Sequence, residues 1–413
     1  MSTQEHDGHG DVHGDVHREW LLERLRHYLS RPVQDSVPLI EYGLDSVAAL
    51  SLYGDIEEEF GPIIELDDIW AFPTVRDLAR HMASRDVRQS GGGVRAAFVF
   101  TGQGCQHPGM TSSLYLNSTS YRSQLDEVAD ALFPYLGLSI VDLILSEDPR
   151  IHQTAFTQPA LYAVEYALAR TLETVGVVPV AVLGHGIGEY AAAAVAGALG
   201  PADAAKLIAM RGAFMQYLPS GGGMMAAPIS PYEIAELVAI EPGVGISAVN
   251  AAKATVLSGE LAGLERIEDG LAARGIRCRH LPVTHAFNSP LMEPMAPKFE
   301  AVARRVPGGA ARLPFYSTVY GRLLTEPLYA SYWTEQLTAP IRFADAARNM
   351  LAQQNPTHIV EIGPRPVLTP YLRRMGSPAC IPMCPRPDTD AVDLAGVISA
   401  LDAGPLAAAP AGA

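Results

Sequence analysis

Gly186 lies at the centre of the run Val180-Ala-Val-Leu-Gly-His-Gly-Ile-Gly-Glu-Tyr190. The run reads as a buried strand, a glycine-flanked tight turn and an Ala-rich helix, which is the build of a nucleophile elbow. An elbow holds one side chain at a helix N-terminus, where an oxygen can attack a carbonyl and form a covalent acyl intermediate. Glycine has no side chain, so the segment has the architecture of covalent acyl transfer without the attacking atom. A second chemical position is Ser46, in Glu41-Tyr-Gly-Leu-Asp-Ser-Val47. Its hydroxyl stands at the very start of an amphipathic helix beside Asp45, exposed to a modifying enzyme. Ser and Asp are also routine helix caps, which is the plain alternative for this pair. Strand-turn-helix runs containing glycines are common too, so the elbow gains weight only from the segments around it.

The elements that must hold these positions follow from composition and periodicity. The chain has 413 residues, 48% of them hydrophobic, which is enough for two or three domains with ample cores. A formal charge of −15 argues against a nucleic-acid or anionic-membrane surface and suits basic partner patches. Cys105, Cys278, Cys380 and Cys384 are scattered without a CxxC pair, so neither a disulfide framework nor a thiolate metal site is indicated. No apolar leader and no membrane-length stretch is present, and a cytoplasmic protein is expected.

Residues 1–17 are rich in Gly, Asp and His and are expected to be a disordered tail. His6, His9, His13 and His17 could bind a transition metal only adventitiously, and no metal site is expected. Residues 18–86 read as a compact all-helical domain of four helices, beginning with the stripe Trp20, Leu21, Leu22, Leu25, Tyr28 and Leu29. Gln89-Ser-Gly-Gly-Gly93 marks a linker over 87–95. Beyond it strands and helices alternate, which predicts an α/β body with a parallel sheet covered on both faces. Strand-helix-strand-strand-helix-strand order over 223–283 predicts an inserted ferredoxin-like subdomain. The body resumes to about residue 387, with a strand at Thr357–Ile362, and 404–413 reads as a second disordered tail.

The 18–86 region resembles an acyl carrier protein. The likeness is carried by the Ser46 segment, Asp55-Ile-Glu-Glu-Glu-Phe-Gly61 and Pro73-Thr-Val-Arg-Asp-Leu-Ala79. It implies 4′-phosphopantetheine attached covalently to Ser46 by a phosphopantetheinyl transferase. The acidic residues Asp55, Glu57, Glu58 and Glu59 offer basic partner enzymes a docking face.

Residues 96–387 are similar to the malonyl-type acyltransferases of fatty-acid and polyketide synthesis, which have an α/β-hydrolase-like body. The matching segments are Phe98-Val-Phe-Thr-Gly-Gln-Gly-Cys-Gln-His-Pro-Gly-Met110, Phe156-Thr-Gln-Pro-Ala-Leu161, Met210-Arg-Gly-Ala-Phe-Met-Gln216, Tyr332-Trp333, Arg342-Phe343 and Glu361-Ile-Gly-Pro364. The resemblance implies an oxyanion hole formed by the backbone N–H groups of Gln103 and Ile187. It also implies that Arg211 grips the free carboxylate of a malonyl-like unit, a role suited to a guanidinium fork, and that Gln158 lines the pocket. Its general base falls in His285-Ala-Phe-Asn-Ser-Pro-Leu-Met-Glu-Pro-Met295, at the fourth place, where this chain has Asn288. His285 and Phe287 then shape the pocket.

Two departures therefore coincide. Glycine cannot attack, and an asparagine amide does not titrate near neutral pH. Losing the nucleophile alone costs serine-nucleophile enzymes on the order of 10⁶ in turnover, roughly 8 kcal/mol. Cys105, His185 and His285 are the conceivable substitutes, with Cys105 read foremost as a packed small side chain and His185 as pointing into the body. The expected function is a carrier and acyltransferase-like didomain of polyketide-type biosynthesis. It carries an acyl thioester on Ser46 and binds malonyl-CoA or a malonyl-like carrier-bound thioester, with covalent transacylation lost. Its other partners would be further synthase enzymes. The alternatives are an active transacylase seen as an inactivated variant, non-covalent chemistry such as decarboxylation of a carrier-bound thioester, and a binding module unrelated to acyl groups. Arg211 speaks against decarboxylation, because a clamp stabilises the carboxylate that must leave.

Overall fold

The computed structural model describes residues 12–29, 31–60, 63–85, 94–385 and 392–402. The chain divides into two compact units, at Gly93/Val94.

In the N-terminal unit, helices α1 (Val12–Tyr28), α2 (Ser46–Phe60), α3 (Asp68–Ala71) and α4 (Val75–Arg85) surround one core. Leu21 and Leu25 of α1, Leu52 and Ile56 of α2 and Leu78 and Met82 of α4 recur three or four residues apart, so each helix buries one stripe. Thr74 caps α4, its Oγ1 accepting from the Asp77 N–H at 3.1 Å. α1 begins at Val12, so residues 12–17 are helical and the expectation of a disordered tail over 1–17 is corrected there. His17 is buried with its ring 4.9 Å from that of Phe60, an aromatic contact that polarity alone hid. His6 and His9 lie outside the described residues.

In the C-terminal unit a six-stranded sheet has the order β10-β9-β1-β2-β7-β8. Its strands are β1 (Ala96–Phe100), β2 (Ala181–Gly184), β7 (Phe315–Ser317), β8 (Arg322–Leu324), β9 (His358–Ile362) and β10 (Ala379–Pro382). All pairings are parallel except β7 with β8, so the expected parallel sheet is in fact mixed, with an antiparallel edge. A short reversal between Ser317 and Arg322 makes that hairpin, whereas a parallel partner needs a long crossover. β1 is buried on both faces: Phe98 and Phe100 enter one core and Ala97 and Val99 the other. That is why it reads as an unbroken apolar run.

Helices α5 (Ser112–Asn117), α6 (Thr119–Leu136), α7 (Ile140–Leu145), α8 (Thr154–Thr174), α9 (Gly188–Val195) and α10 (Pro201–Gln216) belong to the larger core. α8 is buried from Thr157 to Ala169 without a break, which marks it as the central helix.

Between β2 and β7 the chain inserts β3 (Gly222–Ala227), α11 (Pro231–Ala239), β4 (Val244–Ala251), β5 (Ala254–Glu260), α12 (Leu261–Ala272) and β6 (Arg279–His280). These form an antiparallel sheet of order β4-β5-β3-β6, the ferredoxin-like topology. The last strand of the predicted 223–283 unit is only two residues long. The remaining helices are α13 (Ala296–Ala303), α14 (Ala330–Glu335), α15 (Phe343–Gln354), α16 (Thr369–Arg374) and α17 (Leu394–Asp402). α17 buries Val397 and Leu401 in the large core, so the body extends past the expected boundary at 387.

Candidate active site

The elbow forms as its sequence requires. Strand β2 ends at Gly184, and Gly186 takes φ +58, a left-handed conformation that L side chains rarely adopt. A Cβ on Gly188, the first residue of α9, would sit 2.2 Å from the Thr101 carbonyl oxygen, so the helix can approach β1 only with glycine there. A Cβ on Gly186 would face outward onto Ile341 Cδ1 at 3.1 Å. The strand-turn-helix is thus fully formed, with no side chain at its central residue.

Around it the structure assembles a row of polar groups. Gln158 Nε2 donates to Gln103 Oε1 at 3.2 Å and approaches Met215 Sδ at 3.3 Å, and Arg211 Nη1 meets the same sulfur at 3.5 Å. Among the described residues the N–H groups of Gln103 and Ile187 donate to no protein acceptor. Gln158 and Arg211 are both buried, and Gln158 Oε1 and Arg211 Nε have no hydrogen-bond partner. No carboxylate of the described residues pairs with Arg211. Burial pushes its guanidinium below the usual arginine range, opposed by the nearby Tyr190 phenol and Glu189 carboxyl. A buried cation with open donors fits a carboxylate brought by a ligand.

Asn288, at the position of the expected base, is buried and takes φ +53. Its Nδ2 donates to the carbonyls of Gln336 at 3.1 Å and Ala339 at 2.9 Å. Both ring nitrogens of His285 are engaged, with Thr284 Oγ1 at 2.8 Å on Nδ1 and the Leu218 carbonyl at 3.1 Å on Nε2. A carbonyl only accepts, which assigns the proton to Nε2. Phe287 packs beside it, ring centroids 6.2 Å apart, and its carbonyl accepts from Ser247 Oγ.

The two other substitutes are spent. His185 points away from the elbow to Asn250 Oδ1 at 2.8 Å, lies against Phe343, and has its pKa lowered by burial. Cys105 is fully buried, which pushes its thiol far above the usual range, and it donates to the Gly102 carbonyl at 3.2 Å.

Sequence reasoning missed Gln336 and Glu189. Gln336 Nε2 donates to the Gly186 carbonyl at 3.0 Å and to Glu189 Oε2 at 2.6 Å. Glu189 Oε1 also accepts from the Thr318 N–H at 2.6 Å and the Tyr332 hydroxyl at 3.0 Å. Burial still holds the Glu189 carboxyl above its ordinary range, against those hydrogen bonds. A carboxylate beside the elbow in an otherwise apolar helix was the available signal. Gln336 therefore ties the elbow to Asn288, accepting with its backbone and donating with its side chain.

In the N-terminal unit Asp45 Oδ1 accepts from the N–H groups of Val47 at 3.0 Å and Ala48 at 2.9 Å. Asp45 alone caps α2, and Ser46 is left exposed at its first position. A phosphodiester on that hydroxyl would displace no internal bond, so the residues present fit the prosthetic arm. Val47 and Leu50 are also exposed there, which gives the arm an apolar margin.

Among the described residues no helix is long and apolar enough to cross a membrane, and no His/Cys/Asp/Glu cluster could hold a metal.

Residues 97–390 match the acyl transferase domain family, and residues 19–82 match the phosphopantetheine attachment site family. The phenolphthiocerol synthesis polyketide synthase type I of Mycobacterium marinum is 40% identical over 295 residues, 70% of this chain and 14% of that protein. Polyketide synthase GfsB of Streptomyces halstedii is 40% identical over 277 residues, 66% of this chain and 5% of that protein. The chain thus spans a small part of the relatives it matches. Among solved structures, the acyltransferase domain from the second module of the salinomycin polyketide synthase superposes with TM-score 0.70 at 38% identity, covering 75% of this chain and 72% of that one. The malonyl CoA-acyl carrier protein transacylase from Clostridium perfringens gives 0.67 at 26% identity, over 75% and 96%. This chain belongs to the acyl transferase domain family, in a polyketide-synthase-type didomain with a phosphopantetheine-bearing carrier domain ahead of it.

Proposed function

We propose that the carrier domain bears its acyl thioester on the phosphopantetheine of Ser46, and that the larger domain binds a malonyl-like unit without taking it up covalently. The prosthetic group supplies a long flexible arm ending in a thiol. The chain's residues do the rest. Arg211 would hold the free carboxylate by charge-assisted hydrogen bonds, with Gln158 beside it. The open N–H groups of Gln103 and Ile187 would receive the thioester carbonyl. Neither Gly186 nor Asn288 offers an atom that can attack or take a proton.

The observation that carries this reading is Arg211: a buried guanidinium with no carboxylate partner among the described residues, in a row that starts at Gln103. Leaving a buried charge uncompensated costs several kcal/mol, and a ligand carboxylate removes that cost.

The test is calorimetric titration of the protein with malonyl-CoA and acetyl-CoA, joined to intact mass spectrometry. Malonyl-CoA should bind at least about 10-fold more tightly, a difference of ~1.4 kcal/mol. Arg211→Gln should erase the preference. The larger domain should gain no covalent acyl mass, and bound malonyl-CoA should be recovered intact. An acyl adduct on residues 94–413, or loss of CO2 from the ligand, would overturn the reading.

A further inference from the structure

The two peptide groups that carry the open N–H donors share a feature on their far sides. The N–H of Gln103 belongs to the peptide whose carbonyl is Gly102 O, and that oxygen accepts from the Cys105 thiol at 3.2 Å. The N–H of Ile187 belongs to the peptide whose carbonyl is Gly186 O, which accepts from Gln336 Nε2 at 3.0 Å and from the Glu189 N–H at 3.2 Å. In a trans peptide the C=O and N–H point in opposite directions. Holding the carbonyl from behind therefore aims the N–H forward.

Each holding group is itself anchored on a buried glutamate. Behind Cys105, Thr101 Oγ1 lies 3.1 Å from the thiol sulfur and 2.5 Å from Glu165 Oε1. Behind Gln336, the same amide nitrogen that holds Gly186 O reaches Glu189 Oε2 at 2.6 Å. Both of its neighbours are acceptors, which fixes the amide orientation. Burial keeps the Glu165 carboxyl well above the usual range. Thr101 Oγ1 donates to Glu165 Oε1, and the Cys105 thiol that it contacts donates to Gly102 O.

We propose that Cys105 and Gln336 are positioning residues, each anchored on a buried glutamate (Glu165 through Thr101, and Glu189), that lock the Gly102–Gln103 and Gly186–Ile187 peptides with their N–H groups toward the pocket. The hole for a thioester carbonyl is thus built before any ligand arrives, and it survives the absence of a nucleophile. This rests on the reading above for what the N–H groups bind, but the clamp itself is a property of the free protein.

The experiment has two arms. Crystal structures of the ligand-free chain and of Cys105→Ala, Cys105→Ser and Gln336→Leu show the peptide planes directly. The Gly102–Gln103 plane should rotate in Cys105→Ala and stay in Cys105→Ser, whose hydroxyl still donates. The Gly186–Ile187 plane should rotate in Gln336→Leu. If Gln336→Leu does not fold, the Cys105 pair decides. Unmoved planes overturn the proposal whether or not any ligand binds.

The second arm is isotope-edited infrared spectroscopy of malonyl-CoA labelled with ¹³C at the thioester carbonyl. The band should fall in frequency on binding to the parent chain and recover at least about half of that shift in Cys105→Ala, with Cys105→Ser like the parent. Affinity should change less than about 10-fold, because Arg211 is untouched. Binding with an unshifted band in the parent would also overturn the proposal. Absence of binding would instead sink the functional reading, and the peptide planes would still judge the clamp.

Discussion

At the scale of single residues, the turn between β2 and α9 is set by a glycine that carries no side chain. Gly186 sits at φ +58, where an L residue costs about 1–2 kcal/mol, and its virtual Cβ presses on Ile341 Cδ1 at 3.1 Å. Gly186→Ser should therefore lower unfolding stability by about that amount. Ile341→Val removes the crowding methyl and should cost less in the Gly186→Ser background than alone, with a coupling of about 0.5 kcal/mol or more in a double-mutant cycle followed by urea denaturation. Strict additivity would mean that the isoleucine does not constrain this site. Gly186, Asn288, Gln103 and Arg211 could be named from the sequence because each lies in a short local run. Gln336 could not. It meets Gly186 across 150 positions, and nothing in its own neighbourhood records that contact.

Among the elements, helix α2 separates two jobs that its sequence merges. Asp45 and Ser46 are adjacent and either type can cap, but Asp45 accepts both hydrogen bonds from the first turn. Asp45→Ala should destabilise the carrier domain by about 1 kcal/mol. Ser46→Ala should leave its thermal midpoint unchanged within error while abolishing phosphopantetheinylation, scored by intact mass after treatment with a transferase and CoA. A comparable loss of stability from Ser46→Ala would assign the capping to the serine.

The long periodic helices, the apolar strands and the β-α-β-β-α-β order were legible because each carries its own period. The C-terminal helix α17 was not. Most of its residues are apolar and they run on into an Ala-rich stretch, so the two that enter the core, Val397 and Leu401, stand out only against the packing they complete. The antiparallel edge strand β8 is three residues long, too short to display an alternation.

For the molecule as a whole, the two units have separate cores, with Leu21, Leu52 and Leu78 in one and Phe98, Tyr162 and Trp333 in the other. Among the described residues neither core includes a residue of the other unit, so residues 12–85 and 94–402 should each fold when expressed alone. The full chain should lose structure in two steps rather than one when unfolded by urea and followed by circular dichroism. One coincident transition at every wavelength would show that the units stabilise each other.

The glycine at position 186 acts in time as well as in space. On the proposed reading, a pocket that grips an acyl unit without esterifying it would have no memory: at micromolar affinity its occupant would leave within on the order of a second, and dilution would empty it. Occupancy would then track the surrounding supply of charged thioester from moment to moment, as a gauge does, where a site that formed a covalent acyl ester would act as a store.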